Sequence, residues 1–117
     1  MKADNQVLIE SKGFALRVIR LYKYLRDTKQ VYILSKQILR SGTSIGANIR
    51  ESVNAQSRMD FINKLNIALK EANETEYWLE LLHESGCLNE DEFTSIYNDC
   101  GKIAATLTKI IKTTKSA

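Results

Sequence analysis

An antiparallel, up-down-up-down four-helix bundle is the all-α fold this sequence predicts, and three observations carry that prediction. Four stretches repeat apolar residues at three- and four-residue steps, the period of a helix with one buried face. Only a few residues separate one stretch from the next, and short connections make neighbouring helices antiparallel. Proline is absent from all 117 residues, so the commonest helix breaker is missing. No strand-like alternation competes.

The first helix is expected over about 7–27, where Ala15, Val18, Ile19, Tyr22 and Leu25 fall on one side of a helical wheel. After a polar break at Thr28 to Gln30, the second runs over about 32–55 and carries Leu34, Ile38, Ile45, Ile49 and Val53. Its middle, R-S-G-T-S-I-G-A-N-I-R-E from Arg40 to Glu51, has the composition of a loop. Ser41, Gly42, Thr43, Ser44, Gly46 and Ala47 are small, and each Gly in a helix costs about 1 kcal/mol relative to Ala. The apolar repeat nevertheless continues through it. Tight packing is the expected compensation, because small side chains let a neighbouring backbone approach closely. A phosphate-cradling loop would need a P-loop or dinucleotide pattern, and neither is present.

Gln56 and Ser57 form the next turn. The third helix, about 58–84, repeats Phe61, Leu65, Ala68, Ala72, Leu79 and Leu82 at the steps of bundle packing. It should stop at Gly86, a C-cap glycine, and Asn89 should start the next helix with Glu92 three residues on. The fourth helix, about 90–112, carries Phe93, Ile96, Tyr97, Cys100, Ala104, Leu107 and Ile111. Glu90, Asp91 and Glu92 lie at the positive end of its dipole, with Lys109 and Lys112 near the negative end. The tail K-T-T-K-S-A is expected to fray.

Length places residues 1–117 in one domain, able to bury roughly two thirds of its unfolded surface and to fold without staples. No run of about 18 apolar residues occurs, and M-K-A-D-N-Q lacks the apolar core of a signal peptide, so a cytoplasmic protein is expected, with no membrane partner. Cys87 and Cys100 form no C-x-x-C pair and His83 is the only histidine. Ordinary reduced cysteines and no structural zinc are the reading. Glu71 and Glu74 are three apart on the third helix, a spacing that could hold a metal. Di-iron bundles, however, need a Glu-x-x-His from each of two helices, and His83 is not placed to form one. No metal or other cofactor is expected. An enzyme is the least supported class, because His83 has no evident serine or cysteine partner and no phosphate-binding glycine loop exists.

The net charge of +3 conceals an asymmetry. Through Lys70 there are thirteen cations against five acids, net +8, and from Glu71 on four against nine, net −5. Such a layout suggests an electrostatic partner or an oriented assembly. On the second helix, at 100° per residue, Lys36, Arg40, Arg50 and Arg58 fall in one narrow sector opposite Ile38, Ile45 and Ile49. On the first helix Lys12, Arg17, Arg20 and Lys23 lie mostly away from the apolar side. Together these form a candidate surface for phosphate neutralisation, with steep salt dependence. The competing reading is a solvated helix face, since charge patterning alone is a weak signal and no RRM, KH, zinc-finger or homeodomain signature accompanies it.

A second constellation is polar and structural. Glu71 and Glu74 are expected to accept hydrogen bonds or to pair with Arg40 or Arg50 across the small-residue helix, with Ser44 and Asn48 joining the network. Such a network would specify helix register at little net gain in stability. Trp78 reads as a core or interface anchor rather than a base-stacking platform. Leu16 and Leu21 on the first helix, with Ile62 and Trp78 on the third, lie off the centres of their apolar stripes and are candidates for surface left to a partner.

Three blocks, R-S-G-T-S-I-G-A-N-I-R-E-S, D-F-I-N-K-L-N-I-A-L-K-E-A-N-E-T-E-Y-W-L-E-L-L and G-C-L-N-E-D-E-F, occur in this order. With them the chain resembles, from about Val7 to Lys112, the 23S rRNA intervening-sequence protein family of small bacterial four-helix bundles. The resemblance implies a protein without established catalytic activity and a homo-oligomer, by analogy with related bundles that form homopentameric barrels. One similar group, the accessory variability proteins of diversity-generating retroelements, is basic and works with a reverse transcriptase and nucleic acid. The resemblance thereby implies RNA or DNA, or a protein such as a reverse transcriptase, as partners. The acidic second half departs from that strongly basic case. Two functions stay open: a self-associating bundle that binds nucleic acid, and an oligomeric scaffold or adaptor that binds a protein partner and no nucleic acid.

Overall fold

A computed structural model describes residues 5–117 as four helices in sequence: α1 (Asn5–Asp27), α2 (Ile33–Ser52), α3 (Arg58–Glu84) and α4 (Glu90–Ser116). They pack as an up-down-up-down bundle 46 Å long and about 20 Å across. α2 lies against both α1 and α3, and α4 lies against α3 and touches α1 only sparsely. α1 and α3 are therefore diagonal to one another.

The core is the inner face of each helix. Ile38, Ile45 and Ile49 of α2 are fully buried with Phe61, Leu65, Ala68, Ala72, Leu79 and Leu82 of α3. α1 contributes Val7, Phe14, Val18 and Leu25. Its buried face is thus centred on Phe14 and Val18, while Ile19 and Tyr22, which share the helical period, stand on its flank only half-buried. α4 contributes Ile96, Cys100, Ile103, Leu107 and Ile111.

The small-residue segment of α2 is helical throughout. A Cβ on Gly42 would lie 2.8 Å from both methyls of Val18, and one on Gly46 would lie 3.3 Å from the Ser11 carbonyl oxygen. The absent side chains are what let α1 come this close. α2 ends at Ser52, earlier than the apolar repeat suggests. Val53, Asn54 and Ala55 donate to the carbonyls of Arg50, Glu51 and Ser52, the i to i−3 bonds that tighten a last turn.

Each boundary has a local cause. Gln30 adopts φ 58° after α1, and the Val31 amide reaches back to the Leu25 carbonyl at 2.8 Å. Gly86, at φ 85°, does the same after α3, with the Leu88 amide on the Leu82 carbonyl. Both are left-handed C-caps. Ser57 caps α3 by accepting from the Asp60 amide, and Asn89 with Glu92 forms a complete capping box on α4. Arg58 accordingly opens α3 and does not extend the basic sector of α2. The expected frayed tail is helical through Ser116. Thr114 and Ser116 hydroxyls bond back to carbonyls four residues earlier, and the Arg58 guanidinium donates to the carbonyls of Thr114 and Ala117.

Candidate functional site

The basic residues of α1 and α2 separate into two groups by what they touch. Arg40 leans from α2 onto α3, where its guanidinium donates to Glu71 at 3.0 Å and to Glu74 at 2.5 Å. Glu71 is nearly buried, so the pairing supplies the charge-assisted bond its carboxylate needs. The hydrogen bond to Glu74 is the main cause of a guanidinium held above its ordinary pKa. Arg17 crosses from α1 to α4, donating to Asp99 at 2.7 Å and to Ser95 at 2.8 Å. Arg58 is engaged with the end of α4, as described above. These three arginines tie helices together.

Lys36, Arg20, Lys23 and Arg50 are exposed, and among the described residues none of them has an acid within 4.0 Å. Lys36 and Lys23 belong to one half of the α1/α2 side, whereas Arg20 lines a hollow between α1 and α4 together with Arg17, Tyr24 and Glu92. Arg50 belongs to the other half, where it lines a groove of about 600 Å³ between α1 and α2. Leu8, Ile9, Ala15, Ala47 and Val53 give that groove its apolar character, and Lys12 adds a second cation. Its floor exists because Gly46, Ala47 and Ala15 carry so little side chain.

The polar network between α2 and α3 differs in membership from the expected one. Ser44 donates to the Arg40 carbonyl and Asn48 to the Ser44 carbonyl, so both satisfy their own helix and stand apart from the carboxylates. Their spacing of four residues makes this local bond available without any neighbour. Ser41 and Thr75 take their place: the two hydroxyls lie 2.8 Å apart at a fully buried crossing, and Thr75 also bonds to the Glu71 carbonyl. Both occupy core positions of their apolar stripes, which was the available signal.

Between α3 and α4 the contacts are polar and aromatic. The Tyr97 hydroxyl donates to Glu80 at 2.7 Å, and that bond is the main reason its pKa is pushed up to about 12. His83 stacks on Phe93 at 4.3 Å and lies 2.7 Å from Glu90. Burial raises the Glu76 carboxyl above its usual range, with a smaller contribution from Glu80. Cys100 is buried against the Ala72 carbonyl, and its thiol is pushed up to about 12 by burial first and by Glu76 and Asp99 after it. A thiol so placed is not a thiolate at neutral pH and is inert as a nucleophile. Among the described residues no three His, Cys, Asp or Glu side chains converge where a metal could be held. No helix among them is long and apolar enough to cross a membrane.

Of the apolar residues expected at the margins, Leu16 is half exposed, whereas Leu21, Ile62 and Trp78 pack partly buried against the core. The indole Nε1 of Trp78 is buried without a hydrogen-bond partner. Sequence reasoning missed other exposed apolar side chains, among them Ile9, Ile33, Met59, Ile67 and Tyr77. They lie outside the stripes, so periodicity passes over them.

The fold and this surface define a class: a small four-helix bundle whose polar groups mostly tie helices together and whose outer face combines free cations with apolar side chains. The chain belongs to the 23S rRNA-intervening sequence protein family, whose model matches residues 3–109. It is similar to a crystallised protein of unknown function from the S23 ribosomal protein family of Bacteroides thetaiotaomicron VPI-5482. The two are 58% identical with a TM-score of 0.91, over 92% of this chain and 96% of that one. No curated protein matches. Neither match names an enzymatic activity.

Proposed function

We propose that the chain is a non-catalytic assembly protein that associates with further copies of itself. The observation that carries this reading is the placement of exposed apolar side chains: Ile9 and Leu16 on α1, Met59, Ile67 and Tyr77 on α3. Single exposed apolar residues are ordinary, but Ile9 and Leu16 beside an apolar groove, and a row of three on the outer face of α3, mark interaction surfaces. A ring is the proposed assembly, five-membered by the family resemblance.

A second reading is favoured by the cations that folding leaves free. Lys36, Arg20, Lys23 and Arg50 can meet a phosphate backbone, and recognition through them would follow charge and shape rather than base edges. Arg40, Arg17 and Arg58 have partners inside the bundle and contribute less to such a surface. Light scattering of the purified protein, with fluorescence-polarisation titration of structured RNA and duplex DNA on the same samples, tests both. The assembly reading expects a mass that is a multiple of 13.3 kDa, and a monomer at all concentrations would end it. Binding that weakens steeply with salt, and drops when Lys36 and Arg20 become Glu, would establish the nucleic-acid reading.

A further inference from the structure

We propose that the α1/α2 groove binds a free single-chain anion of the fatty-acid class, its alkyl chain along the trough and its carboxylate between Lys12 and Arg50. The groove lies within one copy of the chain, so this site goes beyond the self-association proposed above and does not depend on it. Its volume of about 600 Å³ falls within the roughly 300–1,000 Å³ of small-molecule pockets. Leu8, Ile9, Ala47 and Val53 supply apolar contact. The Thr43 hydroxyl at one end already donates to the Leu39 carbonyl, so it makes no demand on a ligand.

Charge selects the head group. Lys12 stands on the α1 bank and Arg50 on the α2 bank. Both are exposed, and among the described residues neither has an acid within 4.0 Å. The acids closest to them in sequence are turned to other partners: Glu10 accepts from Gln6, and Glu51 pairs with Lys64 of α3. No Asp or Glu among the described residues lines the groove. Gly46 lies against Ser11, so Lys12 and Arg50 differ in height by about one helical turn, roughly 6 Å. Their long flexible stems span that gap, and one carboxylate can accept from both.

Shape selects the body. From Thr43 to Asn54 the trough runs about 16 Å at 1.5 Å per residue. A partner helix of that length, about 10 Å across, would occupy roughly 1,250 Å³, twice the hollow. An extended alkyl chain instead follows a trough between two antiparallel helices along its whole length. The hollow is also concave and short, so it takes a single chain and does not match the surface of a bilayer.

Isothermal titration calorimetry of the full chain tests the site, with every alkyl ligand kept below its micelle concentration. Octanoate, decanoate and dodecanoate should bind with affinity rising by up to about fifteenfold for each added pair of methylenes. Decyltrimethylammonium, of equal chain length and opposite charge, should bind about tenfold more weakly than decanoate or worse. Lys12→Glu with Arg50→Glu should weaken decanoate by a similar factor. Ala47→Phe, which fills the trough from an exposed position, should abolish binding with helical circular dichroism unchanged. Equal binding of the two head-group charges, or undiminished binding in Ala47→Phe, would overturn the proposal. Should Ala47→Phe unfold, the two head groups compared on the wild type decide the matter. Binding to phosphatidylglycerol vesicles without binding of decanoate would assign the surface to a membrane and overturn it too. Binding of no alkyl anion also overturns it, and a lower assembly mass in Ala47→Phe would then give the groove to a neighbouring copy. A monomeric chain that binds decanoate would instead end the self-association reading and leave this site standing.

Discussion

The two long sides of this bundle hold together by opposite means. Where α1 meets α2, the contact depends on side chains that are missing: Gly42 against Val18 and Gly46 against the Ser11 backbone. Where α3 meets α4, it depends on side chains that are present: Tyr97 on Glu80, His83 between Phe93 and Glu90. A seam closed by backbone approach uses no charged group. Lys12, Lys23, Arg50 and Lys36 therefore stay free over it, together with an apolar hollow, while acids across the bundle are partly occupied by helix pairing. The lesson is that the side with the simplest internal packing keeps the most surface for something else.

The comparison breaks most severely at Gly42. Gly42→Leu would drive a branched side chain into fully buried Val18, and overpacking of this kind costs about 3 kcal/mol. Urea unfolding should register it as a fall in midpoint. On the other flank of α2, Arg40→Met would leave the nearly buried Glu71 carboxylate unpaired, a loss of about 2 kcal/mol. Adding Glu71→Met should restore most of that stability, since a paired buried charge and a packed apolar pair are close in energy. A double variant as unstable as the single one would show that the network does more than neutralise Glu71.

Tyr97→Phe removes the hydroxyl from Glu80 and should cost about 1 kcal/mol, measured by thermal unfolding at neutral pH. The smallest effect belongs to Glu76. Its folded pKa is raised above the ordinary value of 4.5, so the stability it contributes is full below that value and is lost as pH rises through the folded pKa. Glu76→Gln should accordingly melt slightly higher than wild type at pH 7 and lose this advantage below pH 4.5. An advantage that persists unchanged into acid would assign the gain to something other than ionisation.

Much of this was legible from the residues. Apolar period alone places all four helices, because it records which face meets the core, and the capping residues Gly86 and Asn89 mark the α3/α4 turn. Loop-like composition did not hide the helix through Gly42 and Gly46, since Ile38, Ile45 and Ile49 keep their spacing across it. The tail was misread because period says nothing of a remote partner: Arg58 is 56 residues from Thr114 in sequence. The same limit applies to the surface. An arginine's wheel position shows which way it leaves the helix, while its long flexible stem lets a neighbouring helix claim it, as Glu71 and Glu74 claim Arg40. Ser41 and Thr75 escaped notice because hydroxyls at core positions leave the apolar stripe looking merely interrupted.

The most direct test makes one substitution on each side. Gly42→Ala and Gly101→Ala should be melted alongside wild type. Each gains about 1 kcal/mol of helix propensity from the added methyl. At Gly101 that methyl would meet only Glu76 Oε2, at 3.9 Å, so the melting temperature should rise. At Gly42 it would lie 2.8 Å from two carbons of Val18, a stiff β-branched side chain with no room to turn aside, so the melting temperature should fall. A rise in both would mean that α1 and α2 do not depend on the missing side chain, and the contrast between the two sides would be wrong.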